Sequence, residues 1–194
     1  MRELAIITFQ TLDGVMQAPS APDEDPSGGF TSGGWAAPYW EAVMGQVMRE
    51  AMAQPYDILF GRKTYETFAG HWPNESDENP VARMMNDARK YVITSTLTEF
   101  AWNNTQSLAG DAAVEVVRLK AQDGPLIQVH GSAELIQTLV AHDLIDEYRL
   151  WTFPVVVGGG KRLFADGSGL TDLALRKTDV TENGVVMSIY RRAE

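Results

Sequence analysis

Short apolar runs alternate with helix-patterned segments along nearly the whole chain, and this alternation restricts the fold more than any other feature. The runs are LAIITF (4–9), DILF (57–60), KYVITS (90–95), GPLIQVHG (124–131) and DEYRLWTFPVVV (146–157). Each has the length of a strand and an apolar continuity that suits burial on both faces. From Pro38 a helix is predicted, because Trp40, Val43, Met44, Val47, Met48, Ala51 and Met52 recur at intervals of three and four. KTYETFAG reads as a short helix ended by Gly70. Asn79-Pro80 reads as an N-cap with proline at the first helical position, opening VARMMNDAR. DAAVEVVRLKAQ (111–122) and SAELIQTLVAHD complete the helices, the latter with Leu135, Ile136, Leu139 and Val140 on one side. Strands separated by helices build a mainly parallel sheet covered on both faces. The tail LALRKTDVTENGVVMSIYRR breaks the pattern and reads as two antiparallel strands, with Asn183-Gly184 near the turn. The expected fold is therefore α/β: one domain over 1–194, a central mainly parallel sheet flanked by helices, and an antiparallel C-terminal hairpin.

Charge narrows the partners. The chain carries 16 Lys and Arg against 26 Asp and Glu, a net charge of −10. Nucleic acid and anionic membrane both require broad basic surface, so neither is expected as a partner. A small anionic ligand is compatible, provided cations gather locally. There is no cysteine, which excludes disulfides, thiolate catalysis and Cys-based zinc sites. No run approaches the roughly 20 apolar residues of a membrane span. The N-terminus, MRELAIITFQ, lacks the pattern of a secretory signal. A soluble cytoplasmic protein with a small-molecule ligand is expected.

In open α/β sheets ligands bind beyond the carboxyl ends of the strands. Three polar clusters stand there: Gly61-Arg62-Lys63-Thr64, Thr94-Ser95-Thr96 and His130-Gly131-Ser132. The first and third lead directly into helices. A helix start offers unpaired N–H groups and partial positive charge, which suits phosphate. Glycine admits close approach of an anion, arginine adds a planar fork, and lysine adds a point charge. One such cluster is ordinary capping chemistry. Three at neighbouring strand ends point to one ligand with several phosphates, such as a dinucleotide.

Other constellations are weaker. GGGK at 158–161 is not a P-loop, because Val155 stands where the first glycine belongs and Arg162 where Ser or Thr belongs. It is not a dinucleotide fingerprint either, since Leu163 replaces the third glycine. Its simplest reading is a tight loop after a strand. His71, His130 and His142 are scattered, no H-E-x-x-H or G-x-S-x-G occurs, and no metal site is expected. Asp13 beside Gly14 reads as a turn aspartate. Glu41 sits near a helix start, where the dipole favours an acid. Residues 10–36 form a long Gly-, Pro- and Ser-rich connection, a length usually functional or disordered. Phe30, Trp35, Tyr39 and Trp40 crowd around it, with rings that stack on a flat heterocycle or pin the loop.

The order of TLDGV, a long loop, a helix, LFGRKTYE, VITST, VHGSAELIQTL and WTFPVVVGGGKRLF resembles the dihydrofolate reductase-like superfamily, closest to its RibD C-terminal branch. The resemblance covers essentially the whole chain. It implies an NADPH-dependent reductase acting by hydride transfer on a pterin- or aminopyrimidine-like heterocycle; the alternative is a non-catalytic NADP(H)-binding sensor. It implies that Gly61, Arg62, Lys63 and Thr64 hold phosphate, the cations facing the adenosine 2′-phosphate. Thr94 and Ser95 would lie at the adenosine end. His130, Gly131, Ser132, Ala133, Glu134 and Leu135 match the pyrophosphate turn and helix start. Thr8, Phe9 and Gly14, Val15 and Met16 match the nicotinamide lining. Glu41 becomes the candidate proton donor, while Phe9, Trp35 and Tyr39 become candidate substrate contacts beneath a lid formed by 10–36. Relatives of this branch pair as homodimers, which is the expected state here. Two departures stand out: His130-Gly131 replaces a Gly-Gly pair, and the segments carrying the branch's arginine and D-x-P-x-L motif read GGWAAPYW and AGHWPNESDENP.

Overall fold

The computed structural model describes residues 1–164, 169 and 172–193. Its strands are β1 (Leu4–Thr11), β2 (Tyr56–Gly61), β3 (Lys90–Ile93), β4 (Thr105–Leu108), β5 (Leu126–His130), β6 (Glu147–Phe153), β7 (Leu173–Val180) and β8 (Val186–Arg192). Its α-helices are α1 (Trp40–Glu50), α2 (Arg62–His71), α3 (Pro80–Asp87), α4 (Ala112–Ala121) and α5 (Ala133–Ala141). The strands form one sheet in the order β4-β3-β2-β5-β1-β6-β8-β7. From β4 to β6 every pairing is parallel, and the pairings of β8 with β6 and β7 are antiparallel. The α/β class, the mainly parallel sheet and the antiparallel C-terminal hairpin match the sequence expectation. Among the described residues no helix is long and apolar enough to cross a membrane.

Two cores explain the apolar continuity of the central strands. Tyr56, Ile58 and Phe60 of β2 join Val43, Val47, Val81 and Met85 of α1 and α3 on one face. On the other, Leu59 joins Val116, Leu119, Ile136 and Leu139 of α4 and α5. Alternate residues of one strand enter opposite cores, so both sets must be apolar.

Three local expectations are corrected. Gly70 does not end α2, which runs to His71 and passes into a 3-10 turn at Trp72–Asn74. A glycine inside a helix costs only about 1 kcal/mol, too little on its own to end it. β4 was not expected, because TQSL is an edge strand with no buried residue and no apolar run. The strand predicted over 146–157 stops at Phe153, since Pro154 removes a ladder donor. The expected cap is present: Asn79 Oδ1 accepts from the amides of Val81 and Ala82. It is worth about 1 kcal/mol.

The 10–36 connection is a packed structure. β1 continues through Thr11, and beyond it the buried Gln17 donates through Nε2 to the carbonyls of Asp25 and Ser27, both at 2.9 Å. Trp35 Nε1 donates to the Gln17 carbonyl at 2.8 Å. Gly33 lies against Pro22 so closely that a Cβ there would meet its carbonyl oxygen at 2.6 Å.

Candidate functional site

At the carboxyl ends of β1, β2, β3 and β5 the sheet opens into one cleft of about 880 Å³. It lies where the chain order reverses on either side of β5, the place an open α/β sheet offers a ligand. Gly61 to Thr64, Thr94 to Thr96 and His130 to Leu135 all line it. The three clusters picked out by sequence thus share a single cavity.

The starts of α2 and α5 brace each other. The Gly61 amide donates to Ser132 Oγ and the Ser132 amide donates to Thr64 Oγ1, each at 3.0 Å. Ser132 Oγ donates in turn to the His130 carbonyl at 3.2 Å. This requires two consecutive left-handed residues, Gly131 (φ 54°) and Ser132 (φ 57°). At Gly131 the approach is also close: an added Cβ would sit 3.2 Å from Thr64 Cγ2. Gly61 differs, with φ −76° and only ordinary contact for an added Cβ, so the turn itself does not require glycine there. The first bond inside α5 runs from the Ile136 amide to the Ser132 carbonyl. The amides of Ala133, Glu134 and Leu135 therefore precede the helical ladder and remain available.

Arg62 and Lys63 are exposed at the cleft mouth. Arg62 donates to both carboxylate oxygens of Glu66 at 3.0 Å. Lys63 has no ion pair among the described residues. Thr94 turns its hydroxyl inward to accept from the amides of Thr96 and Leu97, leaving Ser95 and Thr96 exposed.

His130 lines the cleft but is buried and its ring is tied into the core. Its Nε2 donates to Gln128 Oε1 at 3.1 Å, because Gln128 Nε2 is committed to the Ala51 carbonyl. The ring lies among Tyr56 and Phe68. Burial, with the Arg149 charge adding to it, lowers its pKa to about 4. The imidazole is neutral at physiological pH and brings no charge to the cleft.

The opposite end is built from β1, the start of α1, Phe68 of α2 and two loops. Ile7, Phe9, Trp40 and Phe68 line it with apolar surface. Phe9 meets Trp40 edge-on at 5.5 Å. Met16 lines the cleft; Gly14 and Val15 do not, and act through the backbone. The Met16 amide donates to the Lys161 carbonyl at 2.8 Å, and the Leu163 amide to the Gly14 carbonyl at 3.2 Å. That pairing carries Lys161 to the cleft wall. Gly160 makes it fit: with φ 130°, an added Cβ would lie 2.8 Å from Val15 Cγ1 and 3.0 Å from Phe30 Cε2. GGGK is thus a loop after a strand, as expected, and its lysine reaches the site. Sequence reasoning passed over Lys161, Asp25 and Gln17; the one available signal was a cation ending a glycine run just beyond a strand.

Four further candidates lie off the cleft lining. Trp35 is buried beneath the loop, and its ring meets Phe153 at 5.2 Å. Tyr39 packs edge-on against Phe153 at 5.6 Å. Glu41 is exposed on the first turn of α1. Thr8 is fully buried between Ile7 and Phe9, and its hydroxyl has no partner among the described residues.

Comparison with known proteins gives the fold its relatives. The chain is 33% identical over 136 residues to the uncharacterized protein YyaP of Bacillus subtilis (strain 168), covering 69% of this chain and 72% of YyaP. It is 30% identical over 121 residues to YwjB of the same organism, covering 62% of this chain and 65% of YwjB. Two solved structures share the fold. One, from Shewanella sp. PV-4 and named for riboflavin biosynthesis, has a TM-score of 0.67 at 18% identity, with both chains fully covered. The other, a pyrimidine reductase-like protein from Corynebacterium diphtheriae, has a TM-score of 0.63 at 12% identity, covering 100% of this chain and 92% of that one. The family model described as the RibD C-terminal domain matches residues 2–187, and the chain belongs to that family.

Proposed function

We propose that this protein is an NADPH-dependent reductase that acts by hydride transfer on a small heterocycle of the pterin or aminopyrimidine kind. The observation that carries the reading is the convergence of residues 61–64, 94–96 and 130–135 on one cleft of about 880 Å³, within the usual size of a cofactor pocket. The donor set suits a phosphorylated dinucleotide. Arg62, Lys63 and the start of α2 suit one phosphate group, and the free amides of Ala133, Glu134 and Leu135 suit another. Gly131 leaves the close approach between α2 and α5 clear of a side chain. When bound, NADPH supplies the hydride; the chain's residues hold it and keep water from the reacting carbon. Ile7, Phe9 and Trp40 give the apolar surface for the flat rings. Membership of the RibD C-terminal family, and the name of the pyrimidine reductase-like neighbour, support the reductase class.

The test is calorimetric titration with NADPH and NADH. NADPH is expected to bind about tenfold tighter, roughly 1.4 kcal/mol, the scale of one charge-assisted contact. Replacing both Arg62 and Lys63 with Ala is expected to abolish the preference. Equal affinities in the unaltered protein would refute the phosphate-reading role.

One observation favours a second reading. Glu41, the candidate proton donor, is exposed and outside the cleft lining. A binding module that holds NADP(H) without turnover needs no such acid. Tight NADPH binding with no oxidation against pterins and aminopyrimidines would select that reading.

A further inference from the structure

The wall of the cleft opposite Arg62 and Lys63 holds an ion pair that the cofactor reading does not use. Lys161 Nζ donates to Asp25 Oδ2 at 2.6 Å, and each side chain keeps about a third of its surface exposed. Both residues line the cleft although 136 positions separate them. Gln17, 4% exposed, fixes the pair from behind: its Oε1 accepts from the Lys161 amide at 3.0 Å, and its Nε2 donates to the Asp25 carbonyl. Asp25 Oδ1 accepts from the Ser27 hydroxyl at 2.6 Å and the Ser27 amide at 3.2 Å. Each carboxylate oxygen therefore has a donor. Lys161 Nζ has Asp25 as its one acceptor among the described residues, and an ammonium carries three N–H groups. The wall presents unfilled donors beside a carboxylate, next to the apolar surface of Phe9 and Trp40.

The charges at this end decide what fits there. Lys161 is neutralised by Asp25. The nearby Arg162 is tied to Asp13 and to the Asp13 and Gly158 carbonyls. Glu24 lines the same cleft and has no ion pair among the described residues, its Oε2 accepting from the amides of Ser20 and Ala21. Among the described residues acids thus outnumber cations here, whereas Lys63 has no ion pair among them at the other mouth. A phosphate dianion would meet two carboxylates, with no uncommitted positive charge among the described residues at this end to offset them. Asp25 stays ionised at neutral pH: burial raises its pKa, but Lys161 and Ser27 more than reverse this, so the net shift is downward.

We infer that the Asp25–Lys161 pair, held by Gln17, is the anchor for an uncharged planar heterocycle with a ring N–H beside a carbonyl, and that it rejects the phosphorylated form of the same compound. Lys161 donates to the carbonyl oxygen and Asp25 accepts from the N–H. The proposal rests on the reading that the Arg62–Lys63 end of this cleft holds the cofactor.

Riboflavin and its phosphate ester FMN are suitable probes, since their shared ring carries an N–H flanked by carbonyls and they differ only by phosphate. Flavin fluorescence is titrated with protein, with and without saturating NADP⁺. Riboflavin is expected to bind about tenfold tighter than FMN. Lys161→Met is expected to weaken riboflavin by about fivefold. Asp25→Asn releases the ammonium charge and is expected to improve FMN binding by about fivefold, a gain that misfolding cannot produce. Equal affinity for the two flavins, absence of both from the NADP⁺-loaded protein at millimolar concentration, or an unchanged FMN-to-riboflavin ratio in Asp25→Asn would each overturn the proposal. The NADP⁺ titration reports separately on the cofactor reading: riboflavin preference without NADP⁺ binding would leave the anchor standing and remove the dinucleotide.

Discussion

His130 makes the stability of this protein depend on pH over a window that carboxylates do not control. Its imidazole is buried against Tyr56 and Phe68 and titrates at about 4, against 6.5 when solvated. Between those values the unfolded chain takes up a proton that the folded chain refuses, so protons favour unfolding. The contribution is complete above the unfolded pKa and is lost as pH falls towards the folded one. Weighting both titrations, the loss between pH 7 and pH 5 comes to about 2 kcal/mol. Against a total stability of roughly 5–15 kcal/mol that is readily measured. Urea denaturation at the two pH values, on the natural protein and on His130→Asn, isolates the effect, because the variant keeps every other titrating group. The natural protein should lose about 2 kcal/mol more than the variant over the interval. Equal losses would show that the imidazole accepts a proton in place, and the burial argument would fail. The Gln128 bond makes the outcome sharper. Gln128 Nε2 is held by the Ala51 carbonyl, so the amide is not free to turn and oppose a charged ring.

Two more expectations concern the turn and the loop that shape the cleft. Ser132→Ala removes the acceptor for the Gly61 amide and should cost about 1–2 kcal/mol, whereas Ser132→Gly relieves the left-handed backbone and should recover about 1 kcal/mol of that loss. Urea denaturation of both variants checks the order; a more stable Ala variant would refute it. Gly160→Ala forces a methyl against Val15 and Phe30 at a positive φ, and should lower stability by about 1–3 kcal/mol and displace Lys161. A thermal melt equal to that of the natural protein would show that the 158–161 loop has room the packing denies.

What the sequence revealed and what it hid follow the same physics. Central parallel strands are buried on both faces, so LAIITF, DILF and LIQVH stand out as apolar runs without any alignment. The polar segments at their carboxyl ends then converge because parallel strands end on the same side of the sheet. That is why the three clusters, which in the sequence already pointed to one ligand, share a cleft. β4 failed the same test for the same reason: an edge strand with no buried residue leaves no apolar trace. The Asp25–Lys161 end was illegible because its groups arrive by tertiary routes. Asp25 is delivered by a loop folded around Gln17, and Lys161 by the pairing of 161–163 with 14–16. Neither depends on a fixed spacing that a motif could encode. Gly160 is the residue through which that arrangement leaves a mark in the sequence, since the packing of Val15 and Phe30 leaves no space for a larger side chain. The two ends of the cleft therefore differ in kind. Backbone amides at strand ends hold one end, and a paired acid and base brought together by two loops hold the other. On the proposed reading, changes confined to the loops at 20–36 and 158–164 should alter which heterocycle is bound while the end formed by residues 61–64 and 131–135 keeps its affinity for NADP⁺, and parallel flavin and NADP⁺ titrations on such variants would show whether the two ends separate as this division of labour requires.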